Sequence, residues 1–139
     1  MKIPCLFLTQ KDNNIRSIPS KKYLCTCFEN EISRYKNSII IDSNQNIYYI
    51  KNANKIGWGN WLGGFSIWYK HRLISIEYIV ETEATLSLDE IKNIIIKKIE
   101  QKPYGKFMLQ YFGSIENLKS KVLASTILKE VMNLFLEDD

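Results

Sequence analysis

The chain has 139 residues, 45% of them hydrophobic and 24% charged, the makeup of a folded domain and not of a disordered tail or linker. Such a length buries a core without disulfides or metals. The formal charge of +4 is regional: residues 1–70 carry ten Lys and Arg against four acids, and residues 71–139 carry nine against eleven.

Ile3 to Thr9 reads as a first strand, with Pro4 near its start, where a missing N–H is tolerated. Q-K-D-N-N ends it, and Ile15 to Ile18 is a short return strand closed by Pro19. Residues 20–35 satisfy two patterns. A helix would put Leu24, Cys27, Phe28, Ile32 and Tyr35 on one stripe behind a Ser20 cap, while Y-L-C-T-C-F has strand-like residues; the stripe favours helix. S-I-I-I-D and N-I-Y-Y-I then flank the turn-forming D-S-N-Q-N and predict a hairpin.

The stretch G-W-G-N-W-L-G-G-F-S-I-W holds all three tryptophans and four of the six glycines. It reads as a tight irregular connection in which Trp58 and Trp61 either roof the core or anchor a partner. A second hairpin is expected from Phe65–Tyr69 and Leu73–Thr82, joined through K-H-R. In its second arm Ile74, Ile76, Tyr78 and Val80 alternate with Ser75, Glu77 and Glu81, one face core and the other wet.

Ser87 and Glu90 have capping-box spacing, Leu86 and Ile91 suit a hydrophobic staple, and Leu88, Ile91, Ile94, Ile95 and Ile99 share a helical face. Lys98 falls in that stripe, its stem along the core edge. K-P-Y-G ends the helix, and Phe107–Phe112 reads as another strand. Ser114 caps a long C-terminal helix with the stripe Ala124, Ile127, Leu128, Val131, Leu134 and Phe135. Because Ile115, Leu118 and Val122 point elsewhere, this helix either bends or meets two neighbours. The terminal E-D-D is unfavourable at a helix C-terminus and should fray. Together the elements predict an α+β fold in a single domain, 1–139. Its frame is a mainly antiparallel sheet of about five or six strands packed with two or three helices, the long C-terminal one included.

Conventional chemistry finds few residues. His71 is the sole histidine, which excludes a His pair and any zinc site needing two; Cys25-x-Cys27 has neither zinc-knuckle nor thioredoxin spacing. The glycines lack the Gly-Lys-Ser/Thr ending of a phosphate loop and precede a strand. No catalytic residue, metal or cofactor is therefore expected, and the chain does not read as an enzyme. Cys5, Cys25 and Cys27 do not complete a disulfide framework. The opening M-K-I-P-C-L-F-L has too short an apolar run for a signal peptide, and no run suits a membrane span. A reduced, cytoplasmic protein is expected.

What remains is binding. Trp68 and Lys70 alternate out of phase with Phe65, Ile67 and Tyr69, and with Tyr48 or Tyr49 they would form an aromatic, basic platform. Such a platform suits a protein partner or single-stranded nucleic acid. Sixteen of the nineteen cations are Lys, which weighs against an arginine-fork reader of phosphates or guanines. The partner-binding residues expected are Trp58, Asn60, Trp61, Trp68, Lys70, His71, Arg72 and Glu77.

The connection N-W-L-G-G, the hairpin F-S-I-W-Y-K-H-R-L-I-S-I-E-Y and the capped helix L-S-L-D-E-I-K-N-I-I-I-K-K-I resemble the immunity proteins of bacterial polymorphic-toxin and contact-dependent growth inhibition systems. The resemblance covers about half the chain. It implies a cytoplasmic protein that binds one cognate toxin domain and blocks its active site or its access to substrate. The contact would use an acidic toxin surface, or else the acidic second half of this chain with Glu77, Glu81 and Glu83. A single-stranded nucleic-acid or RNA-binding module is the alternative.

Overall fold

The computed structural model describes residues 1–10, 14–58, 73–101 and 113–136, and of Trp58 the backbone alone. In chain order the elements are β1 (Cys5–Leu8), β2 (Ile15–Ile18), α1 (Lys21–Cys25), β3 (Thr26–Phe28), a 3-10 helix (Glu29–Tyr35), β4 (Ser38–Asp42), β5 (Asn46–Trp58), β6 (Leu73–Thr85), α2 (Leu88–Glu100), α3 (Ile115–Ala124) and α4 (Leu128–Leu134). The strands form one six-stranded sheet in the order β2-β1-β4-β5-β6-β3, and every pairing is antiparallel. The fold is α+β, as the sequence predicts.

Strand alternation gives this sheet two buried faces. Leu6, Leu8, Ile15, Ile41 and Ile47 lie under α2, α3 and α4, against Ile91, Ile95, Ile99, Leu118, Val122, Val131 and Phe135. Burying each of the α2 isoleucines stabilises the fold by about 1.5–3 kcal/mol. Cys5, Phe7, Ile18, Ile40, Ile50, Ile74 and Ile76 point the opposite way, toward Leu24 and Tyr35. On that side the sheet curls, because α1 touches β2 at one edge and β3 and β6 at the other. The Tyr78 hydroxyl donates to the Leu24 carbonyl and fastens α1 there.

The α2 start is as expected: the Glu90 N–H donates to Ser87 Oγ at 3.3 Å and the Ser87 N–H to Glu90 Oε1 at 3.4 Å. Ser114 likewise accepts from the Asn117 N–H at 3.1 Å.

Two expectations are corrected. Residues 20–35 are not one helix; α1 gives way at Thr26 to β3, because Thr26, Cys27 and Phe28 pair with Ser75, Ile74 and Leu73. The C-terminal helix is not one long rod but α3 and α4, broken at Ser125–Ile127. The Thr126 N–H and hydroxyl both bond Glu130, at 2.9 and 3.1 Å, just ahead of the new helix. With the break, Ala124 and Ile127 leave the stripe and are exposed, while Ser125 and Met132 are buried. Leu73–Thr82 is strand as expected, within β6, and its partners among the described residues are β5 on one side and β3 on the other. Residues 65–69 themselves, the strand expected over 107–112 and the terminal E-D-D lie outside the described residues.

Candidate functional site

β5 and β6 run beside each other for thirteen residues each, a ribbon of about 43 Å at strand rise. The helices cover only its beginning. Ile47 is fully buried, and Ile39 packs at the margin of the helical layer opposite Tyr49. Beyond that margin the same face of the sheet presents Tyr49 beside Thr82, Asn52 beside Ile79, Asn54 beside Glu77, and Gly57 beside Ser75. Tyr49 is 38% exposed and Ile79 41% exposed. A contiguous apolar patch on a sheet face is a surface suited to docking.

Register shifts decide which residues share this face. Glu81 has no partner between Val80, which opposes Ile50, and Thr82, which opposes Tyr49. The bulge restarts the alternation, so Glu83 falls opposite Tyr48 on the other face while Glu77 stays on the open one. Glu77 and Glu81 therefore do not continue one evenly alternating acidic row. The expected core row of β6 holds for Ile74 and Ile76 and fades at Val80, which is 39% exposed.

Tyr48 belongs to a different arrangement. Its hydroxyl donates to Asp42 Oδ2 at 3.2 Å, and the same carboxylate accepts from the backbone N–H groups of Lys2 at 3.1 Å, Asn44 at 3.0 Å and Asn46 at 3.0 Å. Burial alone would raise the Asp42 carboxyl; these donors outweigh it and hold the group below the usual carboxylate range. Burial and the Asp42 charge raise the Tyr48 phenol. Asp42 thus ties the amino-terminal segment to the β4–β5 turn, and the polar depression beside it, lined by Asn46, Tyr48, Glu83, Ala84 and Thr85, is an extension of that turn.

Of the residues expected to bind a partner, Glu77 lies exposed on the open face. Trp58 ends β5 as a strand residue opposite Ile74, not in an irregular connection. Asn60, Trp61, Trp68, Lys70, His71 and Arg72 lie outside the described residues. Of the two tyrosines considered for a platform, Tyr49 is the one on the open face. Sequence reasoning missed Ile79, although an isoleucine in the phase of Ser75 and Glu77 is itself the signal of an apolar residue turned to solvent.

Among the described residues no group of three or more His, Cys, Asp or Glu is placed to hold a metal ion, and no helix is long and apolar enough to cross a membrane. Comparison with protein-family models, curated proteins and solved structures finds no match to this chain.

Proposed function

We propose that this protein is an immunity protein: it binds a cognate bacterial toxin domain in the cytoplasm and occludes its active site or substrate path. The observation that carries the reading is the open face of β5 and β6, where Tyr49, beside Thr82, and Ile79, two residues along the strand from Glu77, are each more than a third exposed. An aromatic and an aliphatic anchor beside a polar rim is the make-up of an interface centre. The ribbon is long enough for a partner footprint of about 800 Å². The alternative, single-stranded nucleic acid, has less in its favour on this surface. The charged side chain among the paired positions there is Glu77, an acid, and nearby Lys55 is bound to Glu29 at 3.4 Å.

The direct test is co-expression and pull-down with the product of the adjacent upstream gene. The expected result is a stable one-to-one complex and protection of growth when that product is toxic. No complex with it, and no protection, would overturn the reading; salt-sensitive retention on single-stranded DNA or RNA would replace it with the alternative.

A further inference from the structure

The chain uses arginine three times against sixteen lysines, and the charges of two of the three, Arg16 and Arg34, act on one buried phenol, that of Tyr35. Tyr35 is 1% exposed, its ring stacked on Phe7 at 4.8 Å between centroids and tilted against Tyr78 at 5.5 Å. The Arg16 guanidinium lies over the other partner of that stack, 5.3 Å from the Phe7 centroid, and Arg34 precedes Tyr35 in the 3-10 helix. The place is the seam of the curled sheet. Arg16 stands on the edge strand β2, and Cys27 of the opposite edge strand β3 lies within its electrostatic reach.

Among the described residues, buried donors at this seam are left without an acceptor. Neither Arg16 Nε nor the Tyr35 hydroxyl has a hydrogen-bond partner, though both atoms are buried. Among the described residues Arg16 has no carboxylate within ion-pair distance. Among the described residues a nearby acid is Glu31, whose carboxylate is 3.6 Å from Arg34. A buried donor left unbonded costs about 1–3 kcal/mol, and an arginine in a lysine-rich chain is the residue chosen where a planar fork is needed. Arg16 is only partly buried, so the end of its fork reaches solvent and a ligand approaches from there.

We propose that the seam between β2 and the 3-10 helix is an oxyanion site, in which the Arg16 fork binds a phosphate or carboxylate group, Arg34 adds charge, and the Tyr35 hydroxyl donates from below. The site is independent of the open face of β5 and β6.

The test is titration of the full chain with inorganic phosphate, and separately with acetate, at constant ionic strength set by chloride, read by amide chemical shifts and thermal unfolding. Saturable shifts at Arg16 and Tyr35 with a rise in Tm are expected for at least one of the two anions; a response to phosphate alone or to acetate alone identifies which oxyanion the site prefers. Arg16→Lys keeps the charge but not the fork and should weaken binding about tenfold. Tyr35→Phe should weaken it severalfold while leaving the anion-free Tm unchanged or higher, because the hydroxyl it removes has no partner to lose. No saturable response in the natural chain, or an unaltered response in Arg16→Lys, would overturn the proposal.

Discussion

The ammonium of Lys92 donates to the carbonyl oxygen of Leu123 at 3.2 Å, so a side chain from the first turns of α2 closes the end of α3. It also donates to the Ser125 carbonyl. These carbonyls belong to the helix end where partial negative charge collects, and a cation there is stabilising. Lys92→Met keeps the stem and removes the charge. It should destabilise the fold by about 2–3 kcal/mol, the cost of stranding buried acceptors that had a charged donor. Urea unfolding followed by circular dichroism measures this; a change within experimental error would mean that water substitutes freely at that helix end.

Asp42 makes a prediction about pH. Its carboxyl is held below the ordinary value in the folded chain, so its contribution is fully present above the unfolded value of about 3.9 and is lost as pH falls through the lower folded value. Stability should therefore decline below about pH 4, and Asp42→Asn should flatten that decline while lowering stability at neutral pH. Chemical denaturation across an acid series gives both slopes, and parallel curves for the two proteins would contradict the assignment.

The cysteines should differ in reactivity. Burial, with the nearby Asp42 charge, pushes the Cys5 thiol up to about 12, and burial with Glu31 pushes Cys27 up to about 11, so neither supplies thiolate at pH 8. Cys25 is only partly buried. Brief exposure to a maleimide should give one adduct, on Cys25 by peptide mass mapping, and further adducts only under denaturant. Early labelling of Cys5 or Cys27 would show that their strands open readily.

Tyr49→Ser and Ile79→Ser should separate binding from folding. Both side chains are more than a third exposed, so each change should alter stability by no more than about 0.5 kcal/mol. Toxin affinity should fall about tenfold or more if these are the anchors. Calorimetric titration against the cognate toxin domain is the measurement, and unchanged affinity in the double variant would move the interface elsewhere on the molecule.

Much of the fold is legible where the causes are local. The Ser87–Glu90 box, the Asp42–Asn46 turn and the alternation through Ile74 and Ile76 each rest on neighbours in sequence, and each is found in place. Residues 20–35 were ambiguous because Leu24, Cys27 and Tyr35 suit either reading, and pairing with Leu73–Ser75 decides it. Lys98 is half-buried in the α2 stripe, as expected, while the buried lysine among the described residues is Lys92; its burial depends on carbonyl groups more than thirty positions away. Of the candidate surface, the aromatic pair Tyr48 and Tyr49 was visible but not divisible, since which ring faces water depends on where the helices lie. Ile79 needed the register of β5 before its exposure had meaning.

One contact bears on how the molecule behaves at high concentration. β2 is an edge of the sheet, and its outward Ser17 N–H donates to the Phe135 carbonyl at 2.9 Å, while the Ser17 hydroxyl donates to the Met132 carbonyl. The carboxy-terminal segment thereby occupies the hydrogen-bonding groups that a second molecule's strand would otherwise take. A chain cut short before Met132 would expose that edge and also lose the core packing of Met132 and Phe135, and self-association into β-rich aggregates is the expected consequence.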